Sequence, residues 1–384
     1  MKKKLLMCTL CIILCILCFA CGKREITVTD EAITINYNSE EYQGLYSGTL
    51  VKNVPNGEGK FKSEEGWTFN GSFEEGTFRD KGNVTDYPIT VTYQENNYEG
   101  LYTGEVVSFL PDGEGEFISE KDNINLSYIG KWAKGEFSGD GELKTNNYTM
   151  HFSDVDRVGT YSGETEAGIP SGQGVFTATN SDHVQYTYTG EFKEGIFNGT
   201  GSAVYEDDHY TATGNYVNGE FKPGLIDGLN AMGSRDNFKF SIPEETADFI
   251  NSTYLYINDL NDILPLISND ISYSDYTKQP DKYLGKMVCW KDFTILQVWI
   301  SDFYDEKEEL IDTIAIDNNG HVIRAFGIGA KESDEDKSWM DALNEGAVLN
   351  FYGIPLASSS FENVSGGNTN CVVLLNSFYE ITDY

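Results

Sequence analysis

The chain has 384 residues and a formal charge of −34, from 61 Asp and Glu against 27 Lys and Arg. Such a chain is repelled by nucleic acid and by anionic lipid, which excludes partners held mainly through phosphate contacts. With 24 tyrosines, 22 phenylalanines, 39 glycines and only 9 prolines, the composition favours many strands and turns over disorder, and the length suits two or three domains.

The first element is a leader. Lys2, Lys3 and Lys4 precede an apolar run from Leu5 to Phe19, followed by Ala20 and Cys21, the pattern of a secretory signal peptide over residues 1–21. The run is shorter than the ~20 residues a bilayer span needs, which argues against a retained transmembrane anchor. Ala20-Cys21 resembles a lipobox, in which a small residue precedes the cysteine that is acylated and becomes the new N-terminus. That resemblance implies an exported protein, lipid-anchored through Cys21 to the outer face of a bacterial cell membrane, or in the outer membrane or periplasm of a Gram-negative envelope. Ordinary cleavage is the other route, and both export the chain. Three lysines and no acid leave with the leader, so −34 becomes −37. Five of the seven cysteines lie at or before Cys21, leaving Cys289 and Cys371 for the folded part. Export permits a disulfide, but both stand in apolar strand-like runs where a free cysteine is a common core residue.

From residue 46 a pattern recurs. In its first copy an aromatic at the origin is followed by glycine at offset two, an apolar residue at four, glycines at eleven and thirteen and an aromatic at fifteen. Origins fall at Tyr46, Phe69, Tyr102, Tyr128, Tyr161 and Tyr188, with a degraded seventh near Ala212. Offsets zero, two and four share one strand face, as do eleven, thirteen and fifteen. An antiparallel hairpin then sets four against eleven, two against thirteen and zero against fifteen. Glycine faces glycine in a furrow that a ring from the neighbouring hairpin fills, and the hairpins must stack to be stable.

The pattern, tyrosine-x-glycine-x-aromatic and then glycine-x-glycine, resembles the MORN repeat family over about residues 42–224. The resemblance implies an elongated, single-layer antiparallel sheet of stacked β-hairpins serving as a scaffold or docking surface. The copies are also paired, which the family pattern does not require. Odd copies carry Pro55, Pro111 and Pro170 at the ninth offset. Even copies carry Phe73, Trp132 and Phe192 at the fourth. An alternating strand starts thirteen residues before each odd origin, at Ile33, Ile89 and Tyr148. The unit is therefore a two-repeat block with an extra strand, present three times over 26–224.

Residues 224–237 read as a Gly-rich linker. A helix is expected from about Pro243 to Leu264, with Ser241 as N-cap and Phe249, Leu255, Tyr256, Leu260, Ile263 and Leu264 buried; Pro265 ends it. Linker and helix fill 225–280. Residues 281–384 read strand, strand, strand, helix (338–344), strand, strand, with a hairpin about Asn318-Asn319-Gly320. That order resembles a small OB-fold-like β-barrel. The expected fold is mainly β.

Titratable residues offer little chemistry. The four histidines, His151, His183, His209 and His321, show no metal-ligand spacing, and the acidic runs 305–309 and 332–336 lack the oxygen spacing of a calcium loop. No catalytic residue, metal or cofactor is expected. The barrel segment holds seven Lys or Arg against eighteen Asp or Glu, which argues against nucleic acid there. The expectation is a non-catalytic exported scaffold lipoprotein that docks a protein partner on the sheet and uses the barrel as a second binding module. The alternative is a surface glycan-binding protein. The expected contact rings are Phe73, Trp132 and Phe192 of the even copies, with Tyr46, Tyr102 and Tyr161 at the odd origins.

Overall fold

The structure is a computed structural model that describes residues 25–121, 124–153, 155–207, 209–257, 259–304, 308–330, 343–363 and 365–383. The leader with Cys21, the acidic run 332–336 and most of the helix expected at 338–344 lie outside the described residues. The chain divides into two compact units, Met1–Thr149 with Thr160–Ser171, and Met150–Gly159 with Gly172–Tyr384. Fifteen strands, from β1 (Glu25–Tyr37) to β15 (Glu220–Phe221), pair in chain order in one antiparallel sheet, and five more close a separate barrel.

In the first unit each copy of the repeat is a hairpin. The first consists of β2 (Glu40–Val51) and β3 (Val54–Ser63), the second of β4 (Thr68–Glu74) and β5 (Thr77–Tyr93). Glycine faces glycine as expected: Gly48 is opposite Gly59, Gly71 opposite Gly82 and Gly104 opposite Gly115. Offset four does not face eleven. It faces nine, in Leu50–Pro55, Phe73–Phe78, Val106–Pro111 and Trp132–Phe137. The cause is the turn. Both central residues of each two-residue turn are left-handed, as at Lys52-Asn53 and Lys134-Gly135, and this tight turn fixes the pairing beside it. The surplus residues before offset thirteen bulge out, and Gly57 (φ +81°) and Gly113 (φ +116°) supply the left-handed backbone that the bulge needs.

The furrow is filled from within the hairpin, not by its neighbour. The Tyr46 ring lies over its own Gly48 and Gly59, where a Cβ on Gly59 would sit 2.6 Å from the ring; Tyr102 and Tyr128 repeat this over Gly115 and Gly141. The hydroxyl then donates to the carbonyl three residues on, inside the bulge: Tyr46 to Thr49 (3.1 Å), Tyr102 to Glu105 (2.8 Å), Tyr161 to Glu164 (2.6 Å). Phe69 occupies this place in the second copy without the bond, so Tyr102→Phe is expected to lose only about 1 kcal/mol, read as a small fall in thermal midpoint with the fold retained.

The extra strand of each block is the continuation of a long strand. β5 first pairs back to β4 and then, through Ile89–Tyr93, forward to Gly100–Asn96. Its last ring folds onto the ninth-offset phenylalanine of the even copy: Tyr37 on Phe78 (5.8 Å between centroids) and Tyr93 on Phe137 (5.7 Å). In the second unit Phe152 meets Phe197 in the same way (5.6 Å).

The second unit carries the sixth copy, with Gly190 opposite Gly201 and Phe192 opposite Phe197. The degraded seventh is cut short after Tyr216–Phe221. The stretch read as a linker contains a helix, α1 (Leu225–Met232), which packs on the last strands. Gly214 leaves room for Asp227, and the Ser234 hydroxyl accepts from the Thr211 amide at 2.7 Å. A terminal repeat has no successor to cover it, and α1 takes that role.

The helix expected from Pro243 to Leu264 is broken into α2 (Glu244–Ser252), a 3-10 turn and α3 (Leu260–Ile263). Thr253 leaves the helical region, and the Asp259 carboxylate caps a new start by accepting from the Asn261 and Asp262 amides. Pro243 itself stands at the N-cap, without a side-chain cap. Ile250 and Ile263 are buried, whereas Leu255, Tyr256 and Leu264 are exposed, because the break turns that face outward.

The barrel comprises β16 (Val288–Asp302), β17 (Glu308–Ile316), β18 (Val322–Ala330), β19 (Val348–Glu362) and β20 (Asn368–Asp383). It closes in the order β16-β17-β18-β20-β19, with β18 and β20 parallel and β16 antiparallel to β19. Both faces of its central strands are buried. Ile323, Leu349, Phe351, Val372 and Leu374 form one cluster; Phe326, Ile354, Val373 and Leu375 form another with Phe238, Phe240, Ile250 and Ile263. This explains the uninterrupted apolar runs.

Candidate functional site

The six rings expected at the surface are all in the core. Tyr46, Tyr102 and Tyr161 are fully buried, and Phe73, Trp132 and Phe192 keep 3% exposure or less. Rings pack edge-on across the furrows, Phe73 on Tyr46 (5.0 Å) and Trp132 on Tyr102 (5.2 Å), and the Trp132 indole donates to the Gly115 carbonyl at 3.1 Å. What the sequence reading missed is the ninth-offset phenylalanine. Phe78, Phe137 and Phe197 stand where odd copies have proline, and each turns the fourth-offset ring into one half of a cross-strand aromatic pair.

An accessible site lies on the barrel. β16 carries a bulge between Ile295 and Gln297, and such bulges re-aim side chains. Leu296, the bulged residue, and Trp299 beyond it stand 39% and 46% exposed on a groove of about 760 Å³. Ile314, Ile316, Val322, Met232, Phe238 and Phe361 line it, with Asn363 among its polar residues. Arg324 also lines it but is committed. Its Nε and Nη2 donate to Asp312 at 2.9 and 2.6 Å, and its guanidinium lies 4.1 Å over the Phe238 ring. Arg235, Glu345 and Glu362 complete a rim of mixed charge.

Three of the histidines pair with carboxylates. His151 lies 2.8 Å from Asp156 and His209 2.7 Å from Asp236. His321 sits in a more ordered setting: Nδ1 is 2.9 Å from Asp317, Nε2 is 3.4 Å from the Ser274 hydroxyl, and the ring stacks on Tyr273 at 4.5 Å. The order Ser–His–Asp invites a nucleophile reading. Against it, the amide after Ser274, on Asp275, is taken by the Ser272 hydroxyl in a capping box, where an oxyanion would need a donor. Asp317 also accepts from the Asn319 and His321 amides, which makes it the anchor of the β17–β18 turn. Among the described residues no cluster of His, Cys, Asp and Glu could hold a metal.

Cys289 and Cys371 are both free. Cys371 is buried, which pushes its thiol up to about 12, so it stays protonated and unreactive at neutral pH.

Hairpins that share a register, a glycine row and a closing helix define a solenoid-like repeat protein. Three stretches, residues 46–68, 161–183 and 188–210, match the family model of the MORN repeat; the chain carries MORN repeats and a separate C-terminal five-stranded barrel. Such repeats are in general non-catalytic, protein-binding or membrane-associated modules. A search of curated proteins found no match.

Proposed function

We propose that the chain is a non-catalytic exported lipoprotein, anchored through Cys21, that works as a surface scaffold: the MORN sheet is a rigid body for a protein partner and the barrel groove is the second binding module. One observation carries this reading. The groove at Leu296 and Trp299 is an open apolar surface with a half-exposed tryptophan, whereas the sheet rings are spent on its own core. A groove with a few polar groups at its edge is the expected form of a binding site, and tryptophan is enriched among residues that dominate binding. The −37 charge after processing favours a basic partner over lipid headgroups.

A photo-reactive residue placed at Leu296 should cross-link one defined envelope protein in intact cells, and Trp299→Ala should abolish that product while leaving thermal stability unchanged. Bulk labelling of surface proteins, insensitive to Trp299→Ala, would refute the docking reading. The Trp299 ring beside Gln297, Asn237 and Asn363 also suits a sugar face, so a glycan panel with fluorescence readout is the parallel assay. Cys21→Ser should abolish incorporation of labelled palmitate.

A further inference from the structure

The first block, together with Phe109 from the turn of the copy that follows it, forms an arrangement that has no equivalent in the later blocks. Trp67 is buried at the floor, and four half-buried rings stand around it: Tyr42 at 5.4 Å, Tyr87 at 5.3 Å, Phe109 at 6.0 Å, and Tyr37 against Phe109 at 5.1 Å. Phe109 reaches this place from the turn of the third copy, in a left-handed conformation (φ +62°) that is rare for a bulky side chain; Gly168 and Gly219 hold the matching turn position in the copies that follow the second and third blocks. Two exposed carboxylates form the rim. Glu40 accepts from the Tyr42 hydroxyl at 2.6 Å and Glu65 from the Trp67 indole at 3.3 Å. These two carboxylates give the mouth of the cluster negative potential; burial first, and then their charge, hold the Tyr42 and Tyr87 hydroxyls above the usual phenol range. Among the described residues no Lys or Arg lies over these rings.

The third block shows what such a cage takes. Arg157 stands where Tyr42 stands in the first block, and its guanidinium is 5.0 Å from the centre of the Phe152 ring, the counterpart of Tyr37. Tyr186, counterpart of Trp67, stacks on Tyr205 across the strands at 5.5 Å. Burial raises both hydroxyls, and the Arg157 charge pulls against it. Here the chain fills the place with its own cation. The second block has neither cation nor acids: Asn96 and Leu126 replace Glu40 and Trp67.

We propose that the first-block cage, Tyr37, Tyr42, Trp67, Tyr87 and Phe109 rimmed by Glu40 and Glu65, binds the guanidinium of an arginine on a basic partner segment. Ring faces attract a cation, most strongly when it is partly desolvated, and planar guanidinium both stacks on rings and pairs with carboxylates. The site is independent of the barrel groove and does not rest on the reading given to it.

The test uses the full chain labelled with fluorotryptophan, the Trp67 signal being assigned by Trp67→Phe. A short Gly/Ser peptide carrying paired arginines should shift that signal saturably, and its citrulline twin should not. Glu40→Gln with Glu65→Gln, both exposed, should weaken binding about tenfold or more. Tyr42→Arg should abolish it by filling the cage from within, with unchanged or higher thermal stability. An equal response to citrulline, affinity of the double glutamine variant within about twofold of the parent, no saturation, or tighter binding of tetramethylammonium than of the arginine peptide would each overturn the proposal.

Discussion

Gly115→Val is expected to cost the sheet about 3 kcal/mol, the upper part of the range for overpacking a filled site. A Cβ at Gly115 would lie 2.5 Å from a ring carbon of Tyr102, and that ring is fully buried between the furrow and Trp132. It has nowhere to move without losing its hydroxyl bond to Glu105. Trp132 gives the readout, since its indole is bonded to the Gly115 carbonyl: its fluorescence should red-shift, and urea unfolding of the sheet should begin earlier. Because a repeat interacts chiefly with its neighbours, faster hydrogen exchange should be confined to strands near Gly115 and leave the barrel untouched. Gly329→Ala, where nothing lies within 4 Å, is the neutral control. A Gly115→Val protein within about 0.5 kcal/mol of the parent would show that the furrow is not a ring socket.

The same pair should couple. Tyr102→Ala alone empties a buried site and should cost about 3–5 kcal/mol. Combined with Gly115→Val, the loss should be clearly less than the sum, because the valine then enters space the ring has left.

The spacing of Tyr46, Gly48 and Gly59 made the hairpins, their order and the facing glycines legible. It did not make the register at offset four legible. That depends on the left-handed pair Lys52-Asn53, whose type no glycine announces, and on a bulge that only the three-dimensional pairing reveals. The error had a consequence. It hid the ninth-offset phenylalanines Phe78, Phe137 and Phe197, which pair with Phe73, Trp132 and Phe192 and help to bury the rings expected at a contact surface. Helix α1 was hidden for a related reason: Gly224, Gly228 and Gly233 give the stretch a linker's composition, yet Gly228 lets Phe303 and Tyr304 approach closely and Gly233 does the same for Phe240, so these two glycines are there for packing. The barrel order was readable because its strands are long apolar runs. Its groove was not, since Met232, Trp299, Arg324 and Phe361 are distant in sequence.

Asp312→Ala should be the most damaging change in the barrel, at about 3–5 kcal/mol, because it strands the Arg324 guanidinium in a place only partly open to water. Side-chain exposure is 21% for Arg324 and 11% for Asp312, so bulk solvent replaces the lost partner poorly. The measurement is guanidinium chloride unfolding followed through Trp290 and Trp299. A buried pair of this kind need not exist for stability, since apolar residues of similar volume often serve as well. Asp312→Leu with Arg324→Met should therefore come within about 1 kcal/mol of the parent, as replacement of such pairs commonly does. If that double variant folds and also loses the cross-link formed from Leu296, the pair is retained for the groove: Asp312 holds a cation in its lining, aligned along the Phe238 ring, where a partner's carboxylate or carbonyl can reach its remaining N–H donors. A double variant that keeps the cross-link would instead assign the recognition to Leu296 and Trp299 alone.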